Sequence, residues 1–200
     1  HRKLDVLHEQ LRPKRLFGDM NIDNHCYTIV TEAGPQAGQN RRKQPKWYNV
    51  YMSKAQPIPY KAPDFALQST GETTISLRQF TGSWLVLYFY PKDDTPGCTV
   101  EACSLRDARD ELAELGAQVV GVSRDDPASH EQFTSNHKLN FTLLSDPDHK
   151  VMDAYGAWGK KMFGIEGVLR KTFIIDPDGM VVKVYGRVTP AGHGEQIVAE

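Results

Sequence analysis

Apolar and polar positions along this chain fall into two regimes. Through residue 61 they show no sustained period. From Ala62 onward they form short runs separated by Gly, Pro and Asp. Phe65–Leu67 and Thr73–Leu77 flank the turn-forming Ser69-Thr70-Gly71-Glu72 and predict two short strands. Trp84–Tyr90, WLVLYFY, is a continuous apolar run of strand length and predicts a buried central strand. Residues 98–115 shift to a helical period, with Val100, Cys103, Ala108, Leu112 and Leu115 on one face and Gly116 as the stop. Ala117–Ser123 predicts a second buried strand. Asp126-Pro127 opens a helix to about His137, Phe141–Leu144 is a strand, and Asp146–Ala154 is a helix. Thr172–Asp176 and Met180–Tyr185 flank Pro177-Asp178-Gly179, a hairpin signature. A last helix starts within residues 191–200, and the sequence is expected to end inside it.

Strands alternating with helices predict one α/β domain, a central sheet covered on both faces. The closing hairpin makes that sheet mixed. No internal repeat is present.

Charge divides the chain at the same place. Residues 1–61 carry eleven basic and five acidic residues, and residues 62–200 carry thirteen and twenty. Between Gly34 and Lys61 there are four prolines, six basic residues and no acid, the composition of an extended linker. The expected organisation is therefore an extension over 1–61 and a folded domain over 62–200. Met52 is a candidate chain start, and with His as the first residue the sequence is expected to be a fragment. Arg41-Arg42-Lys43 reads as a solvated basic run, so no nucleic-acid partner is expected. The longest strongly apolar run, Trp84–Tyr90, is far short of a membrane span. Three cysteines are too few, and odd in number, for a secreted disulfide framework. The expected location is the cytoplasm.

Two of those cysteines lie in YFYPKDDTPGCTVEACSL, residues 88–105. Thr95 suits an N-cap and Pro96 the first helical position, which puts Cys98 in the first turn. Unpaired backbone N–H groups and the positive end of the helix dipole favour a thiolate there. The loop also follows the carboxyl end of a central strand, where open α/β sheets place ligand sites. A reactive, partly exposed cysteine is expected. Cys103 falls on the apolar face of the same helix, where a buried core cysteine is the competing reading. Five helical residues give about 7.5 Å of rise and about 140° of rotation, so the two Cα atoms lie roughly 8–9 Å apart. That exceeds disulfide reach, about 7 Å. The two thiols can bond only if the start of the helix unwinds. Two thiolates without a second pair do not make a structural zinc site.

Pro91-Lys-Asp-Asp-Thr95-Pro-Gly-Cys98 is similar to the Pro-x-x-x-Thr-x-x-Cys motif of peroxiredoxins. The longer run through Cys103 resembles the bacterioferritin comigratory protein, or PrxQ, subfamily. KAPDF at 61–65, SDPDHKVMDAYGAWG at 145–159 and LRKTFIIDPDG at 169–179 resemble it in the same order. The resemblance covers about residues 60–200. It implies a thioredoxin-like fold and a thiol peroxidase acting on hydrogen peroxide and alkyl hydroperoxides. It implies Cys98 as the peroxidatic nucleophile and Cys103 as the resolving cysteine, joined in an intramolecular disulfide that thioredoxin or a similar dithiol reduces. Thr95 would hydrogen-bond the thiolate or the peroxide, Arg170 would stabilise both, and Pro91 would shape and shield the loop. No metal, haem, flavin or other cofactor is implied, and the subfamily implies a monomer. Cys26 is a bystander on this reading. Trp158, Met162 and Phe163 are candidates for walls of a peroxide pocket, with core packing and a mobile lid as equal alternatives. Two alternatives stay open at this point: a general dithiol–disulfide oxidoreductase, and a peroxide-responsive redox sensor.

Overall fold

Within the computed structural model, residues 56–161 and 164–200 are described. Cys26, Arg41-Arg42-Lys43, Met52, Met162 and Phe163 lie outside them. Everything described belongs to the unit Gln44–Glu200.

Among the described residues ten strands form in chain order: β1 (Tyr60–Lys61), β2 (Ala66–Ser69), β3 (Thr74–Ser76), β4 (Trp84–Phe89), β5 (Ala117–Ser123), β6 (Thr142–Ser145), β7 (Trp158–Lys160), β8 (Glu166–Val168), β9 (Lys171–Ile175) and β10 (Met180–Tyr185). The helices are α1 (Pro96–Asp107), α2 (Arg109–Glu114), α3 (Pro127–His137), α4 (Lys150–Ala154) and α5 (His193–Val198). Eight strands make one mixed sheet in the order β1-β10-β9-β4-β5-β6-β2-β3, and β7 and β8 pair separately. β4 runs parallel to β5 and antiparallel to β9. It is buried on both faces, which explains its continuous apolar sequence. Leu85, Leu87 and Phe89 enter one core, and Val86, Tyr88 and Tyr90 the other. The first core includes Val151, Met152 and Tyr155 around α4. The second includes Cys98, Ala102, Leu105 and Phe133 from α1 and α3, and Ile197 from α5. The mixed sheet with helices on both faces is the architecture expected from the sequence.

Three local expectations are corrected, and one unassigned stretch gains a structure. The sheet begins at Tyr60 and Lys61, slightly before the compositional boundary. The helix expected over 98–115 is interrupted at Ala108. Its buried stripe is Cys98, Glu101, Ala102, Leu105, Ala108 and Leu112, while Val100 and Leu115 are exposed. The stretch around Trp158 forms the β7–β8 hairpin, which its glycines and lysines disguised.

The interruption at Ala108 coincides with the closest approach of α5. A Cβ on Gly194 would lie 2.3 Å from the Ser104 carbonyl oxygen and 2.7 Å from Ala108 Cβ. The Gly194 N–H donates to Ser104 Oγ at 2.8 Å, and that hydroxyl donates to Glu195 at 2.9 Å. The helix carrying both cysteines is thus held at Ser104 by the last helix. Because backbone opposes the added methyl, Gly194→Ala is predicted to destabilise the protein by about 1–3 kcal/mol. Urea unfolding of the two proteins measures this, and equal stability would show that α5 shifts freely.

Candidate active site

The site forms where β4 ends. β4 closes at Phe89, Tyr90 follows it, residues 91–95 form the loop, and α1 begins at Pro96. Pro91 stands half-buried at the head of the loop. Thr95 occupies the N-cap position with extended backbone, yet its side chain caps nothing. Its hydroxyl donates to the Lys92 carbonyl at 2.9 Å. The expected cap is therefore one of position only. With its one proton committed to Lys92, the Thr95 oxygen can serve the site only as an acceptor. A peroxide O–H can use that acceptor, and a thiolate cannot. The first-turn N–H groups have no intrahelical acceptor and keep the positive end of the helix beside Cys98.

Cys98 is 1% exposed, which overturns the expectation of partial exposure. The cause is its cover. Arg170, just before β9, lays its guanidinium over the first turn of α1, and its Nη2 donates to Cys98 Sγ at 3.2 Å. A Cβ on Gly97 would lie 3.4 Å from Nη2, an ordinary contact, so the guanidinium rests close over the helix start. β4 and β9 are hydrogen-bonded neighbours, with Phe89 opposite Lys171, so the loop after β4 and the residue before β9 meet at one sheet end. Two residues 72 positions apart are thereby brought into contact.

The other guanidinium nitrogen, Nη1, pairs with Glu101 Oε2. Glu101 is fully buried one turn after Cys98 and on the same face of α1. Sequence reasoning placed it on this helix without giving it a role. The available signal was a charged residue inside the apolar spacing Cys98, Ala102, Leu105. Burial raises the Glu101 carboxyl to about 7, and Arg170 opposes that rise. Its Oε1 and the nearby Tyr88 Oη are buried without a hydrogen-bond partner among the described residues. Burial works against the Arg170 charge, while Glu101 and Cys98 stabilise it, with a net rise. One guanidinium thus spans an acid and the thiol sulfur.

Cys103 follows on α1, half-buried rather than on the fully buried stripe, and both cysteines are free thiols. Arg106 interacts with it and also pairs with Asp107 at 2.8 Å. Trp158 lies elsewhere, stacked on His149 with ring centroids 4.2 Å apart and under Arg124. Among the described residues no cluster of His, Cys, Asp or Glu fits a metal ion, and no helix is long and apolar enough to cross a membrane.

A profile described as the AhpC/TSA family matches residues 58–184. The peroxiredoxin Bcp of Bacillus subtilis (strain 168) is 45% identical over 139 residues, 68% of this chain and 88% of that one. Among solved structures, a cysteine-to-serine mutant of peroxiredoxin Q from Xanthomonas campestris is similar at a TM-score of 0.65 and 39% identity, covering 68% of this chain and 88% of that one. The bacterioferritin comigratory protein of the same organism, solved as trapped intermediate and ligand complexes bearing on its alkyl peroxide reduction activity, is similar at 0.65 and 38%, with the same coverage.

The buried Glu101 predicts a pH dependence of stability. Below about 4.5 the carboxyl is protonated in both folded and unfolded chains. As pH rises toward about 7, the unfolded chain gives up its proton first, so folding loses stability across that window. Relative to Glu101→Gln, the wild type should lose up to about 3 kcal/mol there and then level off. Denaturant unfolding of both proteins between about pH 4 and 8 measures the gap, and a gap independent of pH would contradict it.

Proposed function

This chain belongs to the AhpC/TSA family as a peroxiredoxin of the Bcp/PrxQ branch, a thiol peroxidase with a thioredoxin-like fold, and on that premise we propose that Cys98 is its peroxidatic nucleophile and Cys103 its resolving cysteine. The observation that carries this is the Arg170 guanidinium on Cys98 Sγ at the start of α1. A charged donor at that distance stabilises sulfur in its thiolate form.

In the first step the Cys98 thiolate attacks the terminal oxygen of a hydroperoxide. The S–O bond forms as the O–O bond breaks, the hydroxyl stays on sulfur as a sulfenic acid, and the other oxygen leaves as hydroxide or alkoxide and takes a proton. Arg170 is a cation placed to stabilise negative charge as it moves onto that oxygen. The Thr95 oxygen accepts from the peroxide O–H. In the second step Cys103 sulfur attacks Cys98 sulfur, the S–S bond forms, and the sulfenic oxygen leaves as water. Helix geometry holds the Cα atoms roughly 8–9 Å apart, so residues 98–103 must unwind first. The α5 contact at Ser104 supports a limit to that unwinding, because it anchors the helix immediately after Cys103. A dithiol protein such as thioredoxin then reduces the disulfide and is itself oxidised. Such reductants belong to reducing compartments, which favours the cytoplasm, and the subfamily resemblance favours a monomer. Hydrogen peroxide and alkyl hydroperoxides fit the enclosed sulfur. Burial of Cys98 disfavours direct attack on protein disulfides, and with it the general dithiol oxidoreductase reading.

The test follows NADPH oxidation with thioredoxin, thioredoxin reductase and peroxide. Cys98→Ser is expected to abolish turnover. Cys103→Ser should keep one round of peroxide reduction, lose thioredoxin recycling and accumulate sulfinic acid at Cys98. Equal loss of the first turnover in both variants would remove the assigned roles, and background NADPH oxidation by the wild type would remove the thioredoxin-linked cycle.

A further inference from the structure

The loop that carries Pro91 and Thr95 contains two successive aspartates, and each is held by a histidine of α3. Asp93 is 5% exposed and His130 is fully buried. His130 Nδ1 lies 2.9 Å from Asp93 Oδ2. The same carboxylate accepts from Ser129 Oγ at 2.8 Å and, on its other oxygen, from Tyr90 Oη at 2.7 Å. The Asp93 N–H donates to Asp125 at 3.0 Å, and Ser123 Oγ donates to that same carboxylate oxygen at 2.7 Å. The next residue, Asp94, has the left-handed φ of 53° and pairs with His137 Nε2 at 2.7 Å. His130 and His137 are seven residues apart, two helical turns, so α3 presents both from one face. Arg106 Nη1 donates to the His137 carbonyl at 2.7 Å, tying the end of α3 back to α1.

His130 Nε2 is buried without a partner among the described residues. Nδ1 is the ring nitrogen that reaches Asp93, and with a proton there the ring donates to that carboxylate. Burial opposes ionisation of Asp93, yet the bonds from His130, Tyr90 and Ser129 hold it below the ordinary carboxylate range. Taking a carboxylate out of water is unfavourable until its partners offset it. A turn needs nothing of the kind. The place where this carboxylate sits is two residues before Thr95, whose oxygen must be located relative to Cys98.

We propose that Asp93 and His130 are a positioning pair for the peroxidase reaction, fixing the loop from Pro91 to Thr95 against α3 so that Thr95 and the first turn of α1 meet the peroxide in register with Cys98. Asp94 and His137 form the outer, half-exposed brace of the same loop. The pair acts through the loop and touches neither sulfur nor peroxide. The proposal rests on Cys98 being the peroxidatic residue.

The experiment compares two reactions of Cys98 in reduced Cys103→Ser protein. Alkylation by iodoacetamide needs the thiolate and a path to it, but not the aligned loop. Reaction with hydrogen peroxide needs the thiolate and the aligned loop. His130→Leu is expected to slow the peroxide reaction about 10- to 100-fold, the cost of a misplacement of about 1 Å, while alkylation stays within about three-fold. His130→Asn, which keeps a donor at the Nδ1 position, should recover most of the loss. Should the buried replacements not fold, Ser129→Ala removes one bond to Asp93 from a half-buried position, and a loss of about three-fold confined to the peroxide reaction is expected. Parallel loss in both reactions, or peroxide rates within about two-fold of the parent in folded variants, overturns the proposal. Peptide mass analysis of the parent after one equivalent of peroxide separates this from the underlying reading. Oxygen found on Cys98 leaves the nucleophile assignment standing whatever the variants do, and oxygen absent from Cys98 removes both.

Discussion

Everything about this site depends on one half-buried guanidinium. Arg170 contacts the Cys98 sulfur through one nitrogen and Glu101 through another, and the two partners lie one turn apart on the same helix. A lysine could not make both contacts, because its ammonium is a point charge without the planar fork. The price is a buried carboxyl, raised by desolvation to about 7, whose second oxygen has no hydrogen-bond partner among the described residues. A buried acid with an unsatisfied oxygen costs stability, so packing alone does not account for its place beside the thiol.

The fold supplies this arrangement from the centre outward. β4 is buried on both faces and fixes the loop after it, while its neighbour β9 starts one residue beyond Arg170. Helix α1 then sets Cys98 and Glu101 on the sheet side, with Cys103 turned about 140° away. On the proposed cycle, unwinding residues 98–103 also withdraws Glu101 from Arg170. The folded helix is therefore the form built for peroxide, and the unwound helix the form built for the disulfide. α5 holds the far end at Ser104, so the change stays local.

Much of this was legible in the sequence because it is local. The unbroken apolar run Trp84–Tyr90 could only be a doubly buried strand. Thr95-Pro96 set the helix start, and with it the place of Cys98. The stripe on α1 was misread because Val100 and Leu115 are apolar yet exposed, whereas Glu101 is charged yet buried. Hydropathy alone assigns those three positions to the wrong faces, and only the partner of Glu101 explains its burial. Arg170 was reachable through the family resemblance alone, since nothing local tells that arginine from a surface one. The aspartates of the loop and the histidines of α3 carry no mutual signal along the chain, being 37 and 43 residues apart. The β7–β8 hairpin was missed because its strands are three residues each and hold Gly159 and Gly167.

The direct measurement is the second-order rate constant of the reduced protein with hydrogen peroxide, followed in a single turnover for wild type and Arg170→Lys. A cation that cannot reach Glu101 and Cys98 together should slow the reaction by at least about 100-fold. A rate constant within about three-fold of wild type would contradict the account, because positive charge alone, without the fork that Glu101 holds, would then suffice.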